Sequence, residues 1–383
     1  MVDYLQQSFS VPFQYRVYFT EHLFTPGNTL LQDYFQQSSV EKGSKLLVVI
    51  DDGVLQHHSE LAQHIIAYFK NSQLQLVEDF VIIPGGEGVK NSETYFHQIL
   101  DAVNKHGIDR HSYLAVIGGG SVLDVGGYAA AVAHRGIRLL RIPTTVLSQN
   151  DSGVGVKNGI NYYGKKNFLG TFAPPVAVFN DAHFLTTLPA ADWRNGISEA
   201  IKVALIKDNE FFHWLEGAAQ KLMDRKGDAM NYLIRRCAEL HLQHIASADP
   251  FEKGSSRPLD FGHWSAHKLE ALTQFSMPHG EAVAYGLALD SAYSHFSGKL
   301  SKEELESIIN LLKNLSFSFY HPLFEIKDAE SPLLQGLQEF REHMGGRFTV
   351  MMLAAIGKGE EVHAIDLDIL QQASTWLHQQ SKG

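Results

Sequence analysis

The segment 113-YLAVIGGGSVLDVGGYAAAVAHRG-136 decides how the chain is read. It opens on a continuous apolar run, breaks at three glycines, Gly118 to Gly120, and continues in small, helix-compatible residues. A strand buried on both faces reads as such a run, and a parallel neighbour can be reached only through a covering crossover. Similar runs lie at 45-KLLVVI-50, 80-FVIIP-84, 137-IRLLRIP-143 and 176-VAVFN-180. Helix-like segments fall between them, at 59-SELAQHIIAYFKN-71 and 92-SETYFHQILDAVNKHG-107. The alternation predicts a parallel sheet covered on both faces.

Beyond about residue 185 the texture changes. Helical patterns run over 195–207, 210–223, 227–246, 263–274, 279–297, 301–314 and 365–378, with one β-like stretch, 346-GRFTVMMLAAIG-357. The expected architecture is α/β plus α. A Rossmann-like nucleotide-binding domain spans 1–183, and a mostly helical metal- and substrate-binding domain spans 184–383. A chain of 383 residues, 44% hydrophobic, is long enough for two cores. A formal charge of −10 argues against a general nucleic-acid binder. The single cysteine, Cys237, excludes an internal disulfide. No apolar run reaches membrane-spanning length, and the first twenty residues lack a cationic segment followed by an apolar one. The expectation is a cytoplasmic enzyme without internal repeats.

The glycine turn is built for a phosphate. Glycines let the group approach the backbone, and the following helix start offers free N–H groups. It is not the GxGxxG fingerprint, because the sixth position from Gly118 is Leu123. A companion turn, 84-PGGEGVKNSE-93, follows another strand end and brings Glu87 and Lys90. Two such turns at strand ends suggest a dinucleotide.

A second group of residues suits a divalent metal. In 260-DFGHWSAHKLE-270, His263 and His267 are four apart on one helix face. His279 follows in "MPHGEA", and "GISEAIKVALIKD" supplies Glu199 with Lys202 one turn on. Two imidazoles and a carboxylate fit a catalytic metal with an open position, zinc first. Spacing alone leaves open which of His263 and His267 is the ligand. A third group lies in 134-HRGIRLLRIPTTVLSQNDSGVGVKNGINYYGKKNFLG-170. There Arg135, Lys157, Lys166 and Asn167 are interleaved with glycines, threonines and Asp151, as an anion site would need.

Taken together, these motifs resemble the sugar phosphate cyclases, the superfamily of 3-dehydroquinate synthase. The matching stretches are "PGGEGVK", "GGGSVLDVGG", "RGIRLLRIPTTVLSQNDSGVGVKNGIN", "KNFLGTFAPP", "FLTTLP", "GISEAIK", "GHWSAH" and "HGEAVAYGLAL", in the family's order over roughly 45 to 350. The resemblance implies NAD bound by Asp51, Glu87, Lys90, Gly119, Gly120, Asp124, Thr144, Thr145 and Thr187. It implies a divalent metal, zinc or else cobalt, on Glu199, His263 and His279, which makes His267 a substrate contact. Asp151, Lys157, Lys166, Asn167 and Lys202 fall on substrate-site positions, as do Arg257 and Asp260. Arg135 matches an arginine that the family supplies across a homodimer interface. The implied chemistry is transient oxidation of a sugar phosphate, phosphate elimination, reduction, and intramolecular aldol closure.

Three departures bear on the substrate. His241 stands where dehydroquinate synthases carry a lysine. Arg257 and Asp260 replace an arginine–asparagine pair in another register. Glu342 falls where a lysine pair precedes the late Gly345-Gly346. Each change disfavours a substrate carboxylate, so a heptulose 7-phosphate such as sedoheptulose 7-phosphate is expected ahead of the carboxylated heptulosonate phosphate of 3-dehydroquinate synthase. A metal-dependent polyol dehydrogenase and a catalytically silent binding protein are the competing classes. The first has no use for the group Arg135, Lys157, Lys166 and Asn167, and the second none for the intact set around Glu199.

Overall fold

A computed structural model describes residues 3–38, 40–246, 250–251, 258–328, 330–343 and 348–382. Seven parallel strands form its main sheet: β1 (Arg16–Thr20), β2 (Lys45–Asp51), β3 (Gln75–Leu76), β4 (Val81–Ile83), β5 (Tyr113–Gly118), β6 (Arg138–Pro143) and, after an inserted hairpin, β9 (Ala177–Asp181). The hairpin is β7 (Lys157–Tyr162) with β8 (Lys165–Phe172). The order across the sheet is β1-β9-β6-β5-β2-β3, with β4 also on β2. Five helices belong to this half: α1 (Leu30–Gln37), α2 (Asp52–His57), α3 (Leu61–Phe69), α4 (Glu93–Lys105) and α5 (Gly120–Val132).

The apolar strands are buried on both faces, as their composition requires. Leu46, Val48 and Ile50 of β2 join one apolar cluster, while Leu47 and Val49 join another across the sheet. Two elements differ from the sequence reading. β1 pairs in parallel with β9 although its sequence, half-exposed at the sheet edge, carries no continuous apolar run. The basic segment after Asp151, to which the sequence reading assigned no element, is the β7–β8 hairpin, so Lys157, Lys166 and Asn167 sit on strands. Its alternation is broken by Gly159, Gly164 and Gly170, which hides the strand period.

The remaining chain is helical: α6 (Ala190–Lys207), α7 (Asn209–Met223), α8 (Gly227–Ile245), α9 (His263–Leu272), α10 (His279–Phe296), α11 (Lys302–Asn314), α12 (Gln335–His343) and α13 (Leu367–Gln380). A hairpin of β10 (Val350–Ala355) and β11 (Lys358–Val362) packs among them. From Ala282 to Ser294 every residue of α10 is buried, which explains its apolar sequence without an amphipathic stripe. None of the described helices is long and apolar enough to cross a membrane.

Arg141 on β6 ties the chain that follows Asp151 to the sheet. Its buried guanidinium donates to the carbonyls of Gly153 (3.2 Å), Gly155 (2.7 Å) and Lys157 (2.8 Å) and to Asn158 Oδ1 (2.6 Å). Arg141→Met would leave these acceptors unpaired in the interior. The expected loss is about 3–5 kcal/mol in urea unfolding. A change within about 1 kcal/mol would show that solvent reaches these carbonyls instead.

Candidate active site

The glycine turns meet at the C-terminal ends of β2, β4 and β5. Asp51 ends β2, and its side chain accepts from Gly53 N at 2.9 Å. Burial pushes its carboxyl above the ordinary value. A Cβ on Gly85 would lie 2.7 Å from Asp51 Oδ2, and one on Gly118 would lie 2.7 Å from Val122 Cγ1. Those two glycines are demanded by packing. Gly119 is not: a Cβ there would meet, among the described residues, only Thr145 Cγ2, at an ordinary 3.4 Å. Gly119 therefore leaves open space at the start of α5, where N–H groups lack helical partners and a pyrophosphate fits.

Polar groups frame that space. Lys90, almost fully buried, holds Asp124 at 2.6 Å and also Asn167. Glu87 accepts from Ser121 Oγ (2.8 Å) and Asn161 Nδ2 (3.0 Å). Thr144 N donates to Gly118 O at 3.0 Å, Thr145 pairs with Ser148, and Thr187 Oγ1 lies 2.9 Å from His58 Nε2. Every residue that the resemblance gave to the dinucleotide thus sits at the ends of β2, β4, β5, β6 and β9 or on the turn or helix that follows.

The metal set comes from three helices. Glu199 on α6 is fully buried, and His263 and His279 each open a helix, α9 and α10. Glu199 Oε1 lies 3.4 Å from His263 Nε2 and 3.3 Å from His279 Nε2. Each ring is fixed through its other nitrogen: His263 Nδ1 by Phe261 O at 3.0 Å, His279 Nδ1 by Glu270 Oε2 at 3.1 Å. This leaves both Nε2 atoms directed at one carboxylate, the outer-partner pattern of metal-bound histidines. Neither oxygen of Glu199 has a partner in hydrogen-bonding geometry, although Lys202 contacts Oε2. A buried carboxylate that makes no well-formed hydrogen bond, beside two fixed imidazoles, fits a divalent ion. Burial pushes Glu199 up, but Lys202 and the imidazoles hold it well below the carboxylate range. Lys202 loses by burial and gains more from Glu199 and Asp151, reaching about 12. Burial likewise opposes the charged form of His279, yet Glu270 and Glu199 raise it to about 9, so a metal bound there would have to displace a proton.

A second convergent trio, His267 with Glu270 and His279, shares one imidazole with the first. Glu270 already has hydrogen-bonding partners in Lys166 Nζ, at 2.8 Å, and His279 Nδ1, whereas neither oxygen of Glu199 has one in that geometry, which favours the Glu199 set. His267 is exposed beside the first trio, its ring centroid 5.3 Å from that of His263. Asp151 lies on a π-helical turn, Ser148–Ser152, with its Oδ1 3.0 Å from His241 Nδ1. Burial and Glu199 push Asp151 up, but His241 and Lys202 outweigh them and hold it below its ordinary value. Asp260 is half-buried just before α9 and contributes to the field on Lys202.

Three other expected members are exposed to solvent. Lys157 is exposed at the start of β7. Arg135 is exposed past the end of α5, opposite the glycine turn; that 13-residue helix spans roughly 20 Å at the α-helical rise. Glu342 is exposed in the last turn of α12. Arg257 lies outside the described residues. A cavity of about 270 Å³ lined by His22, His57, His58, His64 and His183 opens near the ends of β1 and β9, with His58 on its wall meeting Thr187, and among the described residues its donor atoms form no converging trio. The sequence reading missed Glu270. Its signal was there: His263, His267 and Glu270 follow at i, i+4 and i+7, one stripe of α9.

Comparison with known proteins identifies the family. Residues 80–195 match the model of the 3-dehydroquinate synthase N-terminal domain, and 196–335 that of the C-terminal domain. The chain belongs to the 3-dehydroquinate synthase family of sugar phosphate cyclases. It is 37% identical over 294 residues to a 3-dehydroquinate synthase of a Nitratiruptor species, covering 76% of this chain and 79% of that one. Its fold matches the 2-epi-5-epi-valiolone synthase of Streptomyces hygroscopicus subsp. jinggangensis 5008, solved with NAD+ and Zn2+ bound, at a TM-score of 0.87 and 28% identity over 98% of this chain and 100% of that one. A 2-deoxy-scyllo-inosose synthase solved with carbaglucose-6-phosphate, NAD+ and Co2+ shares the fold at a TM-score of 0.77 and 21% identity, over 94% of this chain and 95% of that one.

Proposed function

We propose that the chain cyclises a seven-carbon ketose 7-phosphate of the sedoheptulose 7-phosphate kind, with NAD recycled in each turnover. A divalent metal, zinc first and cobalt second, is held by Glu199, His263 and His279. In this reading residues 1–183 carry the dinucleotide and 184–383 the metal. When bound, NAD+ takes and returns a hydride while the metal polarises the reacting oxygens. Lys90, Asp124, Glu87 and the Gly119–Gly120 turn hold the dinucleotide, with Asp51 and the three threonines Thr144, Thr145 and Thr187. Lys157, Lys166, Asn167 and His267 face the substrate phosphate. The Asp151–His241 pair takes the proton of the substrate hydroxyl during the transient oxidation and returns it on reduction. Phosphate leaves, the ring closes, and the cofactor ends unchanged.

One observation carries the choice of substrate. Buried Lys202 already serves Glu199, Asp151 and Asp260, so a substrate carboxylate would be a fourth anion competing for one lysine. His241 is already engaged by Asp151, its Nδ1 3.0 Å from Oδ1. An unpaired buried carboxylate costs several kcal/mol, whereas a hydroxymethyl group needs only a hydrogen-bond partner. Phosphate release from the two sugars at matched concentration tests this. The heptulose 7-phosphate should turn over with one phosphate and no net NADH, and the carboxylated sugar about a hundredfold more slowly or worse. Efficient use of the carboxylated sugar alone would make the chain a 3-dehydroquinate synthase. Net NADH from a polyol would make it a dehydrogenase.

The same reading takes the protein as a homodimer whose sites borrow Arg135 from the partner subunit, since within one chain it lies at the far end of α5. Mixing Arg135→Ala chains with His263→Ala chains should restore up to about a quarter of wild-type turnover per subunit. This is because half of the chains form mixed dimers with one complete site each. No recovery after confirmed subunit exchange would rule out sharing.

A further inference from the structure

We propose that Asp290 is a positioning residue that sets the spacing of His263 and His279; this rests on reading those two histidines, with Glu199, as the metal set. Asp290 is fully buried on α10, the helix that His279 opens. Its Oδ2 accepts from Gly262 N at 3.0 Å, and its Oδ1 from Trp264 Nε1 at 2.9 Å. Gly262 and Trp264 flank His263 on either side. One carboxyl group on α10 thus grips the first residues of α9 at two points, with His263 between them.

The backbones touch at the same place. A Cβ on Gly286 would fall 1.9 Å from Gly262 O, and Gly262 itself adopts a left-handed φ of 76°. The crossing of α9 and α10 is therefore fixed one turn from Asp290, and the grip decides how His263 is turned within it. Packing alone does not call for a carboxyl here. Burial pushes Asp290 up to about 7, and an apolar side chain of similar volume would carry no such cost. Two donors aimed at two oxygens do call for it. An asparagine in its place would offer one acceptor and one N–H, so either Gly262 N or Trp264 Nε1 would face a donor.

Zinc affinity, measured by competition with a chromogenic chelator, tests the role in wild type, Asp290→Asn, Leu289→Ala and His279→Ala, with thermal unfolding of each chelator-treated protein alongside. Asp290→Asn should bind zinc about 10–100-fold more weakly, the usual effect of an outer partner. Leu289→Ala, a core truncation next along the same helix, should lower the unfolding temperature while leaving zinc affinity unchanged. Trp264→Phe, which removes only the indole donor, should weaken zinc by a smaller factor and serves if Asp290→Asn does not fold. Wild-type affinity in Asp290→Asn or, where that variant does not fold, in Trp264→Phe would overturn the proposal. Equal weakening in Leu289→Ala would also overturn it, because the effect would then be general loosening. If wild type binds no zinc, or His279→Ala binds it as well as wild type, the metal set is wrong and the positioning role falls with it. Zinc lost in His279→Ala but unchanged in Asp290→Asn would sink the positioning role alone.

Discussion

His279→Ala is expected to lose metal and turnover together while the protein stays folded. In the proposed ligand set the lost nitrogen is one of three, so affinity should fall further than the 10–100-fold typical of an outer partner, and phosphate release should fall in step. Folding should survive for two reasons. His279 is the first residue of α10, where alanine is tolerated, and its side chain is one-quarter exposed. Glu270, which loses the imidazole, still keeps Lys166 at 2.8 Å, so no carboxylate is left unpaired in the interior. Elemental analysis with far-ultraviolet circular dichroism reads both halves of this expectation. A variant with full metal occupancy would remove His279 from the ligand set.

Gly119→Val should abolish cofactor binding with little cost to the fold. The backbone at Gly119 is extended, with φ −72° and ψ 175°, and accepts any residue. Its Cβ meets Thr145 Cγ2 at 3.4 Å, an ordinary contact. A valine at this helix cap costs about 1 kcal/mol. The methyl groups then occupy the space at the start of α5 that the pyrophosphate needs, so NAD affinity measured by calorimetry should fall by about 100-fold or more, the scale of several lost charge-assisted hydrogen bonds. Unchanged binding would move the cofactor elsewhere. Gly118→Val makes the contrast. There the new side chain runs into Val122 and Asp51, at 2.7 Å and 3.1 Å from its Cβ, so instability should come first.

The sequence by itself marked the elements whose burial leaves a local trace. Strands such as β2 and β5 are covered on both faces, so their residues are continuously apolar and could be located without any partner being known. The helix starting at His279 was legible from Pro278 onward, and the glycine turn from its three glycines. The family was legible too, because motif after motif stands in the family's order. β1 escaped because an edge strand, half in water, has no need of a continuous apolar run. The β7–β8 hairpin escaped because glycines interrupt its alternation.

Spacing did not choose among the histidines; the resemblance named His263 and His279, and the tertiary structure supplies the geometry for that choice. His263 and His267 stand on the same face of α9, and their spacing treats them alike. The packing of α6, α9 and α10 aims His263 Nε2 and His279 Nε2 at Glu199 Oε1. Glu199, His263 and His279 are far apart along the chain, and no local preference acts between them. Their convergence depends on how three helices cross, which is decided by close approaches such as Gly262 against Gly286 and by buried side chains such as Asp290. Contacts of that kind join residues without a periodic relation in sequence, and so they become visible only once the chain is folded.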